Sequence, residues 1–291
     1  MRLSLSSPPS QEAIDDFCLN ILVENTNVVA KYLEAGMPVA VRNSEGLSPL
    51  QISIFEGCVD ISLALIDRGA PCTDVGRNGG SLLHDGSWSG RITNALLDKK
   101  VATSRLDAES RDAFYRATQN GSVKAMRSLA SAGCSVSAPG LADGVDGVRP
   151  IHAAASSYDL AAALTILDLG GSVLDVDAAK RNVLHYAAKS RYVSILAEPD
   201  DFENFVKAMQ SKGVDIDAPD DLGRRPLHYA AQLNDTHQTS VLLKLGANPR
   251  LVDNSSQTAE DIASINAKRL LANLTEEPAA KRRESSRKSP S

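Results

Sequence analysis

The sequence predicts an all-α solenoid of about seven helix-turn-helix repeats, with short β-hairpin fingers and a C-terminal capping repeat. Three observations carry that prediction. A motif recurs: Arg224-Arg225-Pro226-Leu227-His228-Tyr229-Ala230-Ala231 returns as Asn182-Val183-Leu184-His185-Tyr186-Ala187-Ala188 and as Arg149-Pro150-Ile151-His152-Ala153-Ala154-Ala155. Its spacing is fixed, since 51 to 84, 152 to 185 and 228 to 261 are each 33 residues. Its residues also have mechanical roles in a helix pair. Pro226 suits a first helical turn, where no backbone N–H is needed. Leu227, Ala230 and Ala231 share a helical face, and the small alanines let a second helix approach. That second helix carries Val241, Leu242 and Leu245 and closes at Gly246. One such pair cannot bury both of its apolar faces, so it needs stacked neighbours.

With looser copies at Ser81-Leu82-Leu83-His84 and Ser48-Pro49-Leu50-Gln51, the pattern resembles the ankyrin-repeat family from about residue 11 to about 274. Repeat one, about 11–43, departs most, with Asp16-Phe17-Cys18-Leu19 where Pro-Leu-His would stand. A terminal repeat is expected to be atypical, because its outer face meets water. Repeat two, about 44–76, turns at Asn43-Ser44-Glu45-Gly46. Repeat three, about 77–107, keeps Gly79 and His84 but has Gly86-Ser87 for the alanine pair and Lys99-Lys100-Val101 in place of a closing glycine. Repeat four, about 108–143, puts Tyr115 in the histidine position and lacks the turn glycine. These two repeats are expected to be the least stable.

Two insertions interrupt the period. Tyr115 to His152 is 37 residues, which places about four extra in the Gly- and Pro-rich stretch 139–147, a longer finger loop. His185 to His228 is 43, which places about ten extra near 191–204, between the helices of repeat six. There Glu198-Pro199-Asp200-Asp201-Phe202 reads as a fresh helix start. Each insertion is either a functional loop or a tolerated surface elaboration. The last repeat, to about 274, has Asp261 where the histidine stood.

The repeats span 11–274. Residues 1–10 read as a flexible lead-in without the long apolar core of a secretory signal, and 275–291 as a disordered, Ser-rich basic tail. Within the tail, residues 281–291 hold five cations against Glu284, a net +4; the whole chain is −5, which leaves −9 for residues 1–280. Such a body is no polycation awaiting nucleic acid. Four cysteines without C-x-x-C pairing read as reduced thiols of an intracellular, cytoplasmic setting, and nothing has the length of a membrane span. The tail carries two readings. Lys281, Arg282, Arg283, Arg287 and Lys288 allow a nuclear-import signal, and Arg282-Arg283-Glu284-Ser285 resembles a basophilic kinase target at Ser285. A charged, solvated tail with neither role stays open.

No constellation for catalysis, metal or cofactor stands out. His84, His152, His185 and His228 occupy one motif position, and the resemblance implies that this side chain bonds turn backbone and the neighbouring repeat. His237 reads as a solvated loop residue. H-E-x-x-H, Walker and G-x-G-x-x-G signatures are absent, and Gly86-Ser87-Trp88-Ser89-Gly90 has Trp88 where a nucleophile elbow has serine. Asp143 and Asp146 lack the carboxylate density of a calcium loop. The second insertion offers Glu198, Asp200, Asp201 and Glu203 but no base–nucleophile pair.

Binding has more support. The resemblance implies a concave surface made of hairpin tips and of residues four and five after the histidine slot. Those positions are Phe55 and Glu56, Trp88 and Ser89, Gln119 and Asn120, Ser156 and Ser157, Lys189 and Ser190, Gln232 and Leu233. Phe55 and Trp88 thus stand side by side on a polar face, and exposed aromatics are frequent binding anchors. The alternative is that Trp88 folds over the gap left by Gly86. From the fingers Arg77, Asp146, Arg181, Asp221 and Arg224 are expected to project and tune partner choice. The chain is therefore expected to be a non-enzymatic adaptor, inhibitor or scaffold, monomeric by itself, whose partner is another protein rather than a small molecule, nucleic acid or membrane.

Overall fold

The computed structural model describes residues 8–142, 144–190 and 200–275. The tail residues 281–291, Asp143, and Glu198 and Pro199 of the second insertion lie outside the described residues. The chain forms two compact units, one running to Leu141 with Asp168–Gly170, the other Ala142–Leu167 with everything from Gly171 on.

The first unit is four helix pairs: α1 (Gln11–Leu22) with α2 (Thr26–Glu34), α3 (Pro49–Phe55) with α4 (Val59–Asp67), α5 (Leu82–Asp85) with α6 (Gly90–Asp98), and α7 (Ala113–Gln119) with α8 (Val123–Ser131). First helices pack on first helices (α1 on α3, α3 on α5, α5 on α7), and α4 packs on α6 and α6 on α8. Leu50, Leu65, Leu82, Leu83, Leu96 and Phe114 are wholly buried between them. The second unit repeats the scheme with α9 (Pro150–Ser156) and α10 (Leu160–Asp168), α11 (Val183–Ala188) and α12 (Asp201–Ser211), α13 (Pro226–Gln232) and α14 (Thr236–Lys244), then α15 (Ala259–Ile262) and α16 (Ile265–Thr275). Here the alanine pairs Ala154 and Ala155, Ala187 and Ala188, Ala230 and Ala231 have no exposed surface, because α9, α11 and α13 approach closely through them. Seven pairs and a short closing pair match the predicted architecture. The fresh helix start at Asp200-Asp201 is α12, with Asp201 and Glu203 in its first turn.

The motif works because its third helical residue caps its own helix and reaches the next turn. Nδ1 of His84, His152, His185 and His228 accepts the backbone N–H of the N-cap residue, at 3.0 to 3.2 Å. Nε2 then carries the proton and donates to the carbonyl of Arg111, Asp175, Arg224 or Gln257, at 3.0 to 3.2 Å. Each histidine thus fills the role of the glutamate in a capping box and also binds the following repeat. Gln51 does both jobs with an amide, its Oε1 accepting from Ser48 N and its Nε2 donating to the Val75 carbonyl, each at 2.8 Å. Asp261, in the last pair, keeps only the capping half, accepting from Thr258 N.

Where the sequence lacks a glycine the turn keeps its shape. Lys100 closes α6 with φ +57°, and Ser110 takes φ +56° in the repeat-four turn. These left-handed conformations disfavour a Cβ by roughly 1–2 kcal/mol each. The first insertion forms the two-stranded sheet β1 (Gly140–Ala142) and β2 (Val145–Val148). One expectation needs correcting: His237 lies in the first turn of α14, not in a loop, although it is exposed. No helix among the described residues is long and apolar enough to cross a membrane.

Candidate functional site

The groove of interest lies in the first unit and is built by three consecutive stretches. Ser48 and Gln51 fix the start of α3 by a reciprocal cap, and Pro49 occupies its first turn. The helix then ends at Phe55, with Glu56 exposed as its C-cap. The turn at Gly76–Gly80 presents Arg77 and Asn78. After α5, a single 3-10 turn over Gly86–Trp88 brings the indole round to the same side. Phe55, Arg77, Asn78, Asp85, Trp88 and Asn120 line one groove of about 270 Å³, over Ile54 and His84.

Within it the Arg77 guanidinium lies 4.3 Å from the centre of the Phe55 ring. Its Nη2 is 3.6 Å from Glu56 Oε1. Ser87 Oγ donates to the His84 carbonyl at 2.7 Å and accepts from Asn120 Nδ2 at 3.0 Å, which ties repeat four to the indole-bearing turn. Trp88 does not cover a gap at Gly86. A Cβ there would stand 2.7 Å from Ile92 Cγ2, so α6 already fills that space, and the absence of a side chain lets α6 in. Trp88 is instead half-exposed in the groove, opposite a half-exposed Phe55.

Asp85 has an unusual position. In repeats four, six and seven the turn opens with Asp107, Asp177 or Asp220, whose Oδ1 accepts two backbone N–H groups of that turn. Nine residues later Arg116, Tyr186 or Tyr229 bonds the same carboxylate. Repeat three reverses this: the turn has Gly76, and the carboxylate comes from Asp85 on the helix, accepting from Arg77 N at 2.9 Å. A Cβ on Gly76 would overlap the Asp85 carboxylate oxygen. Burial raises the Asp85 pKa to about 6, against the Arg77 N–H and the Arg77 and Arg116 guanidiniums, which lower it.

The structure gathers one part of the candidate set and separates another. Phe55, Arg77 and Trp88 line the groove, Glu56 pairs with Arg77 at its edge, and Gln119 sits exposed beside Asn120, accepting from Arg116 Nη1 at 3.2 Å. In the second unit Asp146, Asp221 and Gln232 are exposed; Asp221 pairs with Lys180 at 2.9 Å. Lys189 Nζ lies 4.6 Å from the Tyr186 ring centre. Arg181 does not project. It is 9 % exposed, bonds Asp177 at 2.7 Å and Tyr186 Oη at 3.0 Å, and so braces its turn from inside. Arg224 is likewise drawn in, its guanidinium 4.9 Å from the Tyr229 ring centre. Ser285, Lys281, Arg282, Arg283, Arg287 and Lys288 lie outside the described residues. The sequence reading missed Leu22 and Val23, one period before Phe55 and Glu56, which are 52 % and 60 % exposed. Subtracting 33 once more would have found them.

An ankyrin-repeat family model matches residues 222–254, the turn and helix pair whose capping histidine is His228. The fold is also that of the human ASB11 ankyrin repeat domain, which aligns with a TM-score of 0.63 at 20% identity over 80% of this chain and 99% of that one. The chain has the ankyrin-repeat fold, and residues 222–254 match an ankyrin repeat. It is similar as well to neurogenic locus notch homolog protein 2 of Homo sapiens, 27% identical over 221 residues, 76% of this chain. A shorter likeness, 33% over 93 residues, is to an ankyrin repeat and LEM domain-containing protein 1 homolog of Caenorhabditis elegans. This ankyrin-repeat chain spans about 8% of the length of the notch relatives it matches. Ankyrin repeats are protein-interaction modules.

Proposed function

We propose that this ankyrin-repeat protein docks a partner protein on the concave side of its first unit and acts as an adaptor, inhibitor or scaffold, without turnover. The observation that carries this is the pairing of Phe55 and Trp88 from adjacent repeats in one groove, with Arg77 and Glu56 at its edge. Half-exposed aromatics beside exposed charged groups provide apolar area to bury and charges to select among partners. Docking alone also agrees with how the histidines are used, since both ring nitrogens of His84, His152, His185 and His228 are engaged with backbone. All four cysteines are buried, and burial raises their thiol pKa values, that of Cys134 to about 12.

Affinity capture with the intact chain beside a Phe55→Ala/Trp88→Ala variant tests the reading, after circular dichroism has confirmed that both are folded. Losing two aromatic anchors should cost at least about 2 kcal/mol and remove a partner held at micromolar affinity. Equal capture by both would move the site away from the groove. The composition of the tail supports a second reading, nuclear entry through Lys281, Arg282, Arg283, Arg287 and Lys288. Removing 278–291 from a tagged chain should then shift it out of the nucleus; unchanged distribution would end that reading.

A further inference from the structure

The first repeat has another apolar surface, centred on Leu19 of α1. Leu19 on α1 is 55 % exposed, whereas Ile52, at the equivalent place one period later, is 4 % exposed. Leu19 and Leu22 face an open groove of about 1120 Å³ rimmed by Glu12, Asp15, Asp16 and Glu45, and among the described residues no lysine or arginine lines it. The negative charge is held in place. Asp15 Oδ1 accepts from Gln11 Nε2 at 3.0 Å and Ser44 N at 2.8 Å, which lowers its pKa, and Asp16 accepts from the Tyr32 hydroxyl.

This arrangement selects among occupants. A second copy of the chain would bring carboxylates against carboxylates, and an anionic lipid surface would be repelled. Cations flanking an apolar strip would instead satisfy both the rim and the leucines. Leu19 and Leu22 stand three residues apart on α1, so their ridge can pack into the groove of an incoming helix. We propose that the exposed face of α1 docks an amphipathic helix of a partner protein, apolar along one side and flanked by lysine or arginine.

A fluorescently labelled peptide of leucine and lysine, roughly four turns long with leucines at i, i+3, i+4 and i+7, serves as the probe. Titrated by anisotropy against the full chain, it should bind one to one and weaken with added salt. Leu19→Ser and, separately, Glu12→Lys/Glu45→Lys should each weaken it by about tenfold or more, while Phe55→Ala/Trp88→Ala leaves it unchanged. Circular dichroism checks that each variant is folded. Equal binding of a glutamate-for-lysine peptide, or no loss in the folded Leu19→Ser variant, would overturn the proposal. Light scattering that shows a dimer dissolved by Leu19→Ser would assign the face to a second copy. Binding that occurs only after residues 1–7 are removed would assign it to the chain's own lead segment. Either result also overturns the proposal.

Discussion

His185 accepts a backbone N–H at Nδ1 and donates from Nε2, so a second proton on the ring would face the Asn182 N–H. Burial lowers its pKa from 6.5 to about 4, and that of His152 equally; His84 and His228 are also lowered. As pH falls, the unfolded chain takes up these protons first. Stability contributed by the neutral rings is therefore present above pH 6.5 and lost as pH falls from 6.5 toward about 4. Asp85 acts in the opposite sense over part of that range, because its raised pKa favours the folded state at lower pH. The four histidines should dominate, and the urea midpoint should be lower at pH 5 than at pH 7.5. His185→Gln should retain the fold and flatten this dependence, since Gln51 already does both jobs. His185→Ala, leaving a buried N–H and a carbonyl unpaired, should cost about 3 kcal/mol. Equal midpoints at both pH values would contradict this assignment of the rings.

At the scale of the element, repeat three shows how a turn and a helix share one carboxylate. The regular arrangement puts aspartate in the turn and an arginine or tyrosine nine residues later; here glycine and Asp85 exchange those parts. Gly76→Asp alone should destabilise the chain by about 2 kcal/mol, through overlap and the repulsion of two carboxylates. Combining it with Asp85→Tyr restores the pattern of Asp177 with Tyr186 and Asp220 with Tyr229, both at 2.6 Å. The pair should be less destabilised than the sum of its single variants, by about 1–3 kcal/mol in denaturant titrations. Strict additivity would show that the two positions do not share one site. The exchange was not legible beforehand, because glycine in a turn and aspartate in a helix each look ordinary alone. The helices themselves were legible, since Pro226, His228 and the alanine pairs have roles that local chemistry fixes. Arg181 was misplaced for a related reason: its position in a finger suggested projection, but the buried Asp177 draws the guanidinium inward.

For the whole molecule, the period that revealed the repeats also placed Phe55 and Trp88 on adjacent repeats, so half of the candidate groove could be read in advance. The other half could not. Asp85 and Arg116 line it from positions other than four and five after the histidine slot, so the period does not mark them, whereas Asn120 is among the positions it marks. In the second unit Arg181 and Arg224 are committed to their own turns. The central claim is that a partner is engaged at this groove. A photo-crosslinking residue in place of Glu56, exposed at the groove edge, tests it most directly when compared with one in place of Leu174, which is 60 % exposed in the second unit. On irradiation in cells, the account predicts a discrete protein adduct from position 56 and none of the same mass from 174. An adduct from 174 with none from 56 would contradict it.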